Sequence, residues 1–505
     1  MLSWDNMSEP SFFLTHLLAL LHDGGDRPAF LFRGKEISYR DCYRLLRRLH
    51  HALPDTVPGE VVAVLAGNRP ETVLVQLAAQ LRGARVLLIS ASSSLPDRLA
   101  ALRAAGATTL IVDPEREPGR IDELIGTRAP LSIGPAGSAG SLPAGTPDLL
   151  AASGESPLDL PSGVVTIFPT GGTTGTPKLI EHGGTYEGMA RIFRPNPAGP
   201  GRILVTAPMS HMTGNAATLG ALLGGDTVVP HNGFDPTAVL RSINDDRITA
   251  LSLTPPRLAQ LLDHPALADT DLSSLRSLSL GAAPLSTERL SQALEVFGPI
   301  VGQGYGLTEA PMIATITAAE LDGHPERLGS VGRIVPGMAA KIGDDGEVLV
   351  QGLSLMDGYR DPALTAAAFT DGWLHTGDIG RFDDDGYLYL LDRAVDVIIT
   401  GEHGTKVYST VVEDALARHP LVRQVAVIGI PGAGGEGEAV HAVVVPAGAL
   451  DPADLQRHAR AHFGQEHFVP STVEFTDALP LTPLGKIDKK ALRTPYWTPH
   501  PRPIA

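Results

Sequence analysis

Short runs of consecutive apolar residues alternate with longer amphipathic segments along most of the chain. Between about residues 26 and 135 the apolar runs EVVAVLAG, ARVLLIS and TTLIVD have the length of buried strands, and the segments PETVLVQLAAQLRG and LPDRLAALRAAG between them have helical spacing. Strands that alternate with helices in this way are typical of parallel βαβ units. The pattern therefore predicts an α/β fold for this region.

Two changes of pattern follow. A stretch rich in Gly, Pro, Ser and Ala, residues 132–163, predicts an exposed connection. A second α/β series then contains RILVTAPMSH, DTVVPHNGF, ITALSLTPPRLAQLLD and SLRSLSLGAAPLS. From about Ser330 the pattern changes to the short strands VGRIV, AAKIG and GEVLVQG, which indicate a small β-rich subdomain.

Beyond the segment DGYLYLLDR the chain has a third pattern, of α+β type, with two predicted helices and two predicted strands. We place a domain boundary here, between residues 1–392 and residues 393–505. At the other end of the chain, SFFLTHLLALLHDGG lacks a basic leader and is too short to cross a bilayer, so we expect an amphipathic first helix and no membrane partner.

Composition narrows the class of protein. A chain of 505 residues with 43% hydrophobic and 19% charged residues is typical of a globular enzyme of two or more domains. The formal net charge of -16 disfavours nucleic acid as a partner. The single cysteine, Cys42, excludes an internal disulfide and a cysteine metal site. We expect Cys42 in a core and the protein in the reducing cytoplasm.

The segment FPTGGTTGTPKLIEH, residues 168–182, has the composition of a phosphate-binding loop. Its glycines permit close backbone approach, while its hydroxyls, amides and one lysine supply donors. It does not match the P-loop pattern, because Pro177 directly precedes Lys178. A flexible glycine-rich turn is the alternative interpretation of this segment alone.

Three further segments contain groups suited to a nucleotide. GQGYGLTE ends in Glu309, a carboxylate suited to Mg²⁺ on a polyphosphate. GWLHTGD ends in Asp378, which could accept hydrogen bonds from a ribose diol, and PLTPLGKIDKKAL presents Lys486 from a tight turn. Each segment alone is more often structural, but a structural origin does not explain their joint occurrence in this order.

With these motifs in this order, the chain resembles the adenylate-forming superfamily of acyl-CoA synthetases, nonribosomal peptide adenylation domains and luciferases, over essentially its whole length. The resemblance implies a large N-terminal domain of two α/β subdomains and a small β-barrel-like subdomain, followed by a smaller, mobile α+β C-terminal domain. It also implies an AMP-forming ligase that uses ATP and Mg²⁺ to convert a carboxylic acid into an acyl-AMP and pyrophosphate. The acyl group then passes to a nucleophile.

The resemblance also assigns roles to individual residues. The phosphate loop would contain Thr170, Gly172, Thr173, Thr174, Gly175 and Lys178. The walls around adenine and Mg²⁺ would contain Gly281, Ala282, Ala283, Tyr305, Gly306, Thr308 and Glu309. Asp378 and Arg393 would hold the ribose, and Lys486 would bridge the carboxylate and the α-phosphate. The acid would lie beside His211, Met212, Gly214, Gly304 and Met312, in a pocket for an aryl or medium-length acid.

The sequence departs from the family in segments that serve the second half-reaction, which is the transfer of the acyl group to the nucleophile. The segment TGEHGTKVYSTVVE is longer than the usual glycine-rich turn, and no Lys or Arg occurs between Arg423 and Arg457, where the phosphates of CoA would favour cations. In the hinge, Val395 replaces the usual Asp or Lys, and the phosphate loop has Gly171 for serine and Leu179 for glycine. None of these changes removes a group needed for adenylation.

The sequence therefore does not decide which nucleophile accepts the acyl group. CoA is the default, and an amine, a carrier-protein thiol and the nitrite chemistry of diazotases are alternatives. A degenerate relative that only senses ATP is the non-enzyme alternative, although the presence of Lys486, Glu309, Asp378 and Lys178 argues against it. A nucleotide-binding oxidoreductase is disfavoured because the strand–GxGxxG–helix pattern is absent.

Overall fold

The computed structural model describes residues 9–116, 121–126, 128–135, 142–143, 145–170, 177–197, 199–401, 404–432, 437–482 and 485–498. These residues form four β-sheets with helices packed against them. None of the helices in these ranges is both long and apolar enough to span a membrane.

The chain as far as Ile192 alternates helices and strands. The helices are α1 (Phe12–Asp23), α2 (Tyr39–Ala52), α3 (Pro70–Leu81), α4 (Leu95–Ala105), α5 (Ile121–Ile125) and α6 (Gly184–Ile192). The strands are β1 (Pro28–Phe32), β2 (Lys35–Ser38), β3 (Val61–Ala66), β4 (Arg85–Ser90), β5 (Thr109–Val112), β6 (Ala129–Ser132), β7 (Val165–Thr170) and β8 (Lys178–His182). Strands β3 to β7 pair in parallel, which confirms the predicted βαβ units.

Burial explains why this segment folds as parallel units. Every residue of β3 is buried, and every residue of α3 is buried except Glu71. A strand with both faces buried is typical of a parallel sheet that helices cover on both sides. Helix α3 begins at Pro70, whose fixed φ suits the first position of a helix.

The predicted second α/β series is present, and it contributes seven strands to a nine-stranded sheet. Its helices are α7 (Met212–Leu223), α8 (Pro236–Asp245), α9 (Pro255–Leu262), α10 (Thr287–Phe297) and α11 (Ala318–Leu321). Its strands are β9 (Arg202–Val205), β10 (Thr227–Pro230), β11 (Ala250–Leu253), β12 (Ser277–Gly281), β13 (Val301–Leu307), β14 (Ala310–Thr317) and β15 (Arg333–Ile334). The strand order is β15-β14-β13-β12-β11-β9-β10-β1-β2, so the N-terminal hairpin forms one edge.

A small sheet follows, in which the strands pair in antiparallel fashion. It contains β16 (Met338–Ile342), β17 (Glu347–Gly352), β19 (Phe369–Thr370), β20 (Trp373–Phe382) and β21 (Leu388–Arg393). Strand β18 (Gly358–Tyr359) instead joins the first sheet, whose order is β18-β8-β7-β4-β3-β5-β6, and α12 (Pro362–Ala368) follows it. The β-rich subdomain predicted after Ser330 is therefore present.

The smaller C-terminal domain has its own sheet and core. Its strands are β22 (Ile398–Thr400), β23 (Thr405–Val407), β24 (Val422–Pro431), β25 (Glu438–Pro446) and β26 (Thr472–Phe475). Its helices are α13 (Ser409–Ala417), α14 (Pro452–Phe463) and α15 (Lys489–Trp497). The core residues of this domain, such as Val427 and Leu455, form a cluster separate from those of the larger domain.

Two local expectations have different outcomes. Cys42 is fully buried in the core beside α1 and α3, as predicted, and burial raises the pKa of its thiol. The prediction of an exposed connection over residues 132–163 is wrong for part of the described chain. Leu149 is 2% exposed, and the Arg48 guanidinium donates to the carbonyls of Leu150 and Ala152 at 2.6 and 2.9 Å. The leucines of this segment pack against the core because burial removes their apolar surface from water.

Candidate active site

The predicted phosphate loop is the connection of a β-hairpin. Strands β7 and β8 pair antiparallel, and their last pair in the sheet joins Thr170 to Lys178. Residues 171–176, which include Gly172, Thr173, Thr174 and Gly175, lie outside the described part of the chain. The structure thus gives the two residues that flank the loop, Thr170 at the end of β7 and the exposed Lys178 at the start of β8.

A tyrosine connects Lys178 with Glu309. The Lys178 Nζ atom lies 5.3 Å from the centre of the Tyr359 ring. The Tyr359 hydroxyl donates a hydrogen bond of 2.8 Å to Oε1 of Glu309, and burial raises its pKa. Within the described ranges the second carboxylate oxygen of Glu309 has no protein partner, so it is available to a cation. A half-buried carboxylate of this kind fits the oxygen ligands that Mg²⁺ prefers.

A buried histidine fixes the turn that contains Thr308 and Glu309. His182, the last residue of β8, donates from Nε2 to the Thr308 carbonyl at 2.7 Å, while its Nδ1 lies 2.9 Å from the Thr185 hydroxyl. Burial lowers the pKa of His182 to about 4, so the imidazole is neutral at pH 7. The same strand thus ends the phosphate hairpin and supports the Glu309 turn.

We predict that His182→Leu raises the KM for ATP by roughly 10-fold, because it leaves the buried Thr308 carbonyl without its donor, which costs about 1–3 kcal/mol. Pyrophosphate exchange at varied ATP measures this effect. His441→Leu is the matched control, since His441 is also buried but hydrogen-bonds Thr472 in the C-terminal domain. An equal rise of KM in both variants would show that the effect reflects general stability.

A second cluster joins β13 of the nine-stranded sheet to β20 and β21 of the small antiparallel sheet. The Tyr305 hydroxyl donates to Asp378 at 2.6 Å, and Arg393 Nε lies 2.9 Å from the other Asp378 oxygen. Burial raises the pKa of Asp378, and the Arg393 charge opposes that rise. Glu347 supports the turn before Asp378 by accepting from the Gly377 N–H at 2.7 Å. The structure therefore brings Tyr305, Asp378 and Arg393 together.

The C-terminal domain inserts a lysine between these clusters. Burial lowers the pKa of Lys486, as does the nearby charge of Arg393, while Asp378 and Glu309 act in the opposite direction. The lysine also contributes to lowering the pKa of His211 to about 4, although burial is the larger cause. Lys486 thus lies within electrostatic reach of groups from both clusters. Within the described residues, the buried Nε2 of His211 has no hydrogen-bond partner.

A tight turn presents Lys486. The N–H groups of Thr482 and Gly485 donate to the carbonyls of Lys486 and Thr482, at 2.7 and 2.8 Å. The Thr254 hydroxyl of the N-terminal domain donates to the Gly485 carbonyl at 3.1 Å. Gly485 has a φ of +76°, and an added Cβ would lie 2.9 Å from Arg257 Nε. Glycine therefore permits both the turn and its close approach to the larger domain.

The predicted adenine and Mg²⁺ walls lie at the ends of β12 and β13. Gly281 and Gly304 are opposite each other, and a Cβ on Gly281 would lie 2.6 Å from the Gly304 carbonyl oxygen. A Cβ on Gly306 would lie 2.3 Å from the Pro311 carbonyl oxygen. Ala282 is exposed with a φ of +67°, a strained value for a residue with a side chain, and Ala283 follows it. The absence of side chains at Gly281 and Gly306 thus permits neighbouring backbone segments to approach closely here.

The residues predicted to contact the acid differ in burial and packing. Met212 is 4% exposed and belongs to the main core, whereas Met312 is 45% exposed and its N–H donates to Ser354. Gly214 packs tightly, since an added Cβ would lie 2.2 Å from the Pro208 carbonyl oxygen. Packing alone accounts for Met212 and Gly214. Gly304, by contrast, lies beside Gly281 at the cleft.

The sequence motifs missed Tyr359, His182 and Glu347. Tyr359 reaches the site because β18 pairs with β8, although the two are far apart in the chain. His182 is buried at the end of β8, but burial does not alternate strictly along this strand, so no strand pattern indicated an inward side chain. Nothing in the sequence around Glu347 distinguishes it from a surface carboxylate.

Comparison with known proteins agrees with this architecture. The model of the AMP-binding enzyme family matches residues 21–360, and that of the AMP-binding enzyme C-terminal domain matches residues 411–486. A medium/long-chain-fatty-acid–CoA ligase of Mycobacterium tuberculosis is 39% identical over 87% of this chain and 82% of its own length. Feruloyl-CoA synthase of an Amycolatopsis species is 35% identical over 91% of this chain and 94% of its own.

Two solved structures extend the likeness. The amide bond synthetase McbA from Marinactinospora thermotolerans has a TM-score of 0.85 and 35% identity, covering 95% of this chain and 99% of that one. The o-succinylbenzoate CoA synthetase of Bacillus subtilis, in complex with ATP and magnesium, has a TM-score of 0.79 and 26% identity, covering 95% and 98%. The fold, the cleft and these matches define an adenylate-forming enzyme. The chain belongs to the AMP-binding enzyme family, and it is an AMP-forming ligase.

Proposed function

We propose that the protein activates a carboxylic acid with ATP and transfers the acyl group to CoA. In the first step a carboxylate oxygen attacks the α-phosphorus, the bond from this phosphorus to the bridging oxygen breaks, and pyrophosphate leaves. The observation that supports this proposal best is the approach of Lys486, from the C-terminal domain, to Asp378, Glu309 and His211 of the N-terminal domain.

Electrostatics explains why this step needs a lysine. The carboxylate and the triphosphate are both anions, and their repulsion in a water-poor cleft slows attack. Lys486 offsets this repulsion where the two anions meet. The nearby His211 is neutral, so its unpartnered Nε2 can hydrogen-bond the acid without adding charge.

The nucleotide would bind along the two clusters. Asp378, held by Tyr305 and Arg393, has a buried carboxylate suited to the ribose hydroxyls. Lys178 and the hairpin loop would hold the outer phosphates. Glu309 would hold Mg²⁺ through its free oxygen, and the ion, when bound, would offset charge on the leaving pyrophosphate.

The acceptor has two candidates. CoA is supported by the relatives, which include a fatty-acid–CoA ligase and feruloyl-CoA synthase. An amine is supported by the similarity to an amide bond synthetase, which is matched over 99% of its length, and by the lack of Lys or Arg between Arg423 and Arg457.

We further propose a cytoplasmic location, with which the single, buried thiol of Cys42 is compatible.

Incubation with ATP, Mg²⁺, a panel of acids, CoA and amines tests the proposal, with product analysis by mass spectrometry. We expect pyrophosphate, AMP and an acyl-CoA. Amide formation beside unused CoA would instead support the second candidate. Absence of pyrophosphate release with every acid would refute the proposal itself.

We also propose that the boundary lies at residues 392 and 393 and that the C-terminal domain rotates between half-reactions. In the present arrangement, Asp414 of α13 accepts hydrogen bonds from the Thr287 N–H and hydroxyl, at 2.9 and 3.0 Å, at the start of α10. This carboxylate at a helix N-terminus stabilises the arrangement that holds Lys486 in the cleft.

Asp414→Ala should therefore slow pyrophosphate exchange by roughly 3- to 10-fold, because such a contact is worth about 0.5–2 kcal/mol. Acyl transfer from a chemically prepared acyl-AMP should be unchanged or faster. Asp454→Ala is the matched control, since Asp454 is an acid on α14 that pairs with Arg457 of its own domain. Equal slowing of both half-reactions by Asp414→Ala would contradict a role in domain orientation.

A further inference from the structure

One face of strands β11, β12 and β13 consists entirely of small residues. Ala250 pairs with Ser277, and Ser252 with Ser279; Ser279 and Gly281 pair in turn with Gly302 and Gly304. Since paired residues of parallel strands share a face, these positions form one continuous surface. The opposite face contains leucines and is buried in a core. Ser252, Ser277 and Ser279 are exposed, yet none of these positions has the long charged side chain typical of a solvent-facing strand.

A cavity lies where helix α7 faces this surface. Its volume is about 80 Å³, and it is lined by Thr213 and Ala217 of α7 and by Ser252, Ser277 and Ser279 of the sheet, among others. Thr213 lies two residues after His211, so the cavity adjoins the turn that bears the histidine. Five of the twelve lining residues carry hydroxyls and the others are apolar, and the cavity is close to the group that we propose to contact the carboxylate.

Gly304 adds an opening at the cleft end of the same surface. Its φ is not left-handed, and a Cβ added to it would have only one neighbour, the Ala314 carbonyl oxygen at an ordinary 3.9 Å. Neither strain nor packing requires glycine here, in contrast to Gly281. The missing side chain keeps a flat area free beside the backbone of Gly281. Gly281 lies two residues after Ser279, and two residues along a strand span roughly 6.6 Å. The distance from this flat area to Ser279 is therefore about the length of an aromatic ring.

We infer that the acid is a compact aromatic acid with a hydroxyl or similar hydrogen-bonding substituent, not an unsubstituted alkyl acid. This inference rests on the proposed function. The ring lies on the glycine backbone at Gly281 and Gly304, and the substituent enters the cavity and hydrogen-bonds Ser252, Ser279 and Thr213. An alkyl chain would desolvate these hydroxyls without providing partners. The cavity is also smaller than the roughly 150 Å³ that holds a benzene molecule, so it suits a substituent and not a long chain.

Pyrophosphate release with ATP and a matched set of acids tests the inference. The set contains benzoate, its three monohydroxy isomers, cinnamate, 4-hydroxycinnamate and octanoate. We expect at least one hydroxylated acid to exceed its unsubstituted parent in kcat/KM by roughly 10-fold or more, and to exceed octanoate by more. Octanoate or an unsubstituted acid as the best substrate would overturn the inference while leaving acid activation intact. No release with any acid would overturn the proposed function and the inference together.

Two variants test the assigned surface. Ser252→Ala with Ser279→Ala should lower kcat/KM for the hydroxylated acid by roughly 10-fold more than it lowers kcat/KM for the unsubstituted parent. Ser162→Ala, at an exposed serine before β7, is the control. Gly304→Leu should lower kcat/KM for every aromatic acid by roughly 10-fold or more, a larger factor than any change in the KM for ATP. A hydroxyl preference that survives the double variant would place the binding surface elsewhere.

Discussion

Lys486→Ala should abolish acid activation, with pyrophosphate release falling by roughly 10³-fold, because a preorganised charge in a water-poor site contributes about 3–4 kcal/mol to transition-state stabilisation. The melting temperature should change little, since the side chain makes no hydrogen bond within the described residues. Pyrophosphate exchange and thermal denaturation measure the two quantities. Acyl transfer from a chemically prepared acyl-AMP should stay near the wild-type rate, because that step involves no attack on ATP.

Lys490→Ala is the matched control for this experiment. Lys490 is exposed in α15, only four residues away, and removal of its charge should leave both half-reactions unchanged. Lys489 is unsuitable as a control because it is paired with Glu413 at 2.7 Å and with Ser409 at 2.6 Å. Wild-type pyrophosphate exchange in Lys486→Ala would show that the cleft lysine has no part in activation.

Glu309→Gln should lower pyrophosphate release by roughly 10²-fold and raise the Mg²⁺ concentration required for half-maximal rate, because an amide binds a hard cation more weakly than a carboxylate does. The amide oxygen can still accept from the Tyr359 hydroxyl, so the local structure should persist. A titration of the rate with Mg²⁺ at saturating ATP separates the two effects.

Glu326→Gln serves as its control, since Glu326 is an exposed acid that pairs with His324 on the surface. If Glu309→Gln lowers the rate but the Mg²⁺ requirement stays as in the wild type, the carboxylate acts on the phosphates in another way. A KM for ATP that rises equally in both variants would indicate a long-range charge effect.

The fold was predictable where burial follows a local pattern. Runs such as that of β3 are buried on both faces, so apolar runs between amphipathic helices were sufficient to predict parallel βαβ units. The position of the N-terminal hairpin was not predictable. Strand β1 joins the second sheet through a pair between Phe30 and Val228, and no local pattern indicates a contact between residues so distant in sequence.

The charged residues of the site could be predicted from the sequence, but the residues that hold them in place could not. Lys486, Asp378 and Glu309 follow from motifs that resemble a known family, and they approach one another across two domains. Tyr359 and His182 became visible only after strand pairing was known, since each reaches the site from a neighbouring strand. Of the residues expected around the acid, Met212 and Gly214 are explained by packing, because a chain pattern does not distinguish a pocket wall from a core.

The burial of Cys42 makes the wild-type chain a convenient starting point for spectroscopy. Its sulfur is fully buried, and the raised pKa of the thiol keeps it protonated and unreactive at neutral pH. Maleimide dyes or spin labels would therefore attach only to cysteines introduced on purpose. A label on each side of the contact between α10 and α13 could report the angle between the two domains during turnover, with the native cysteine left in place.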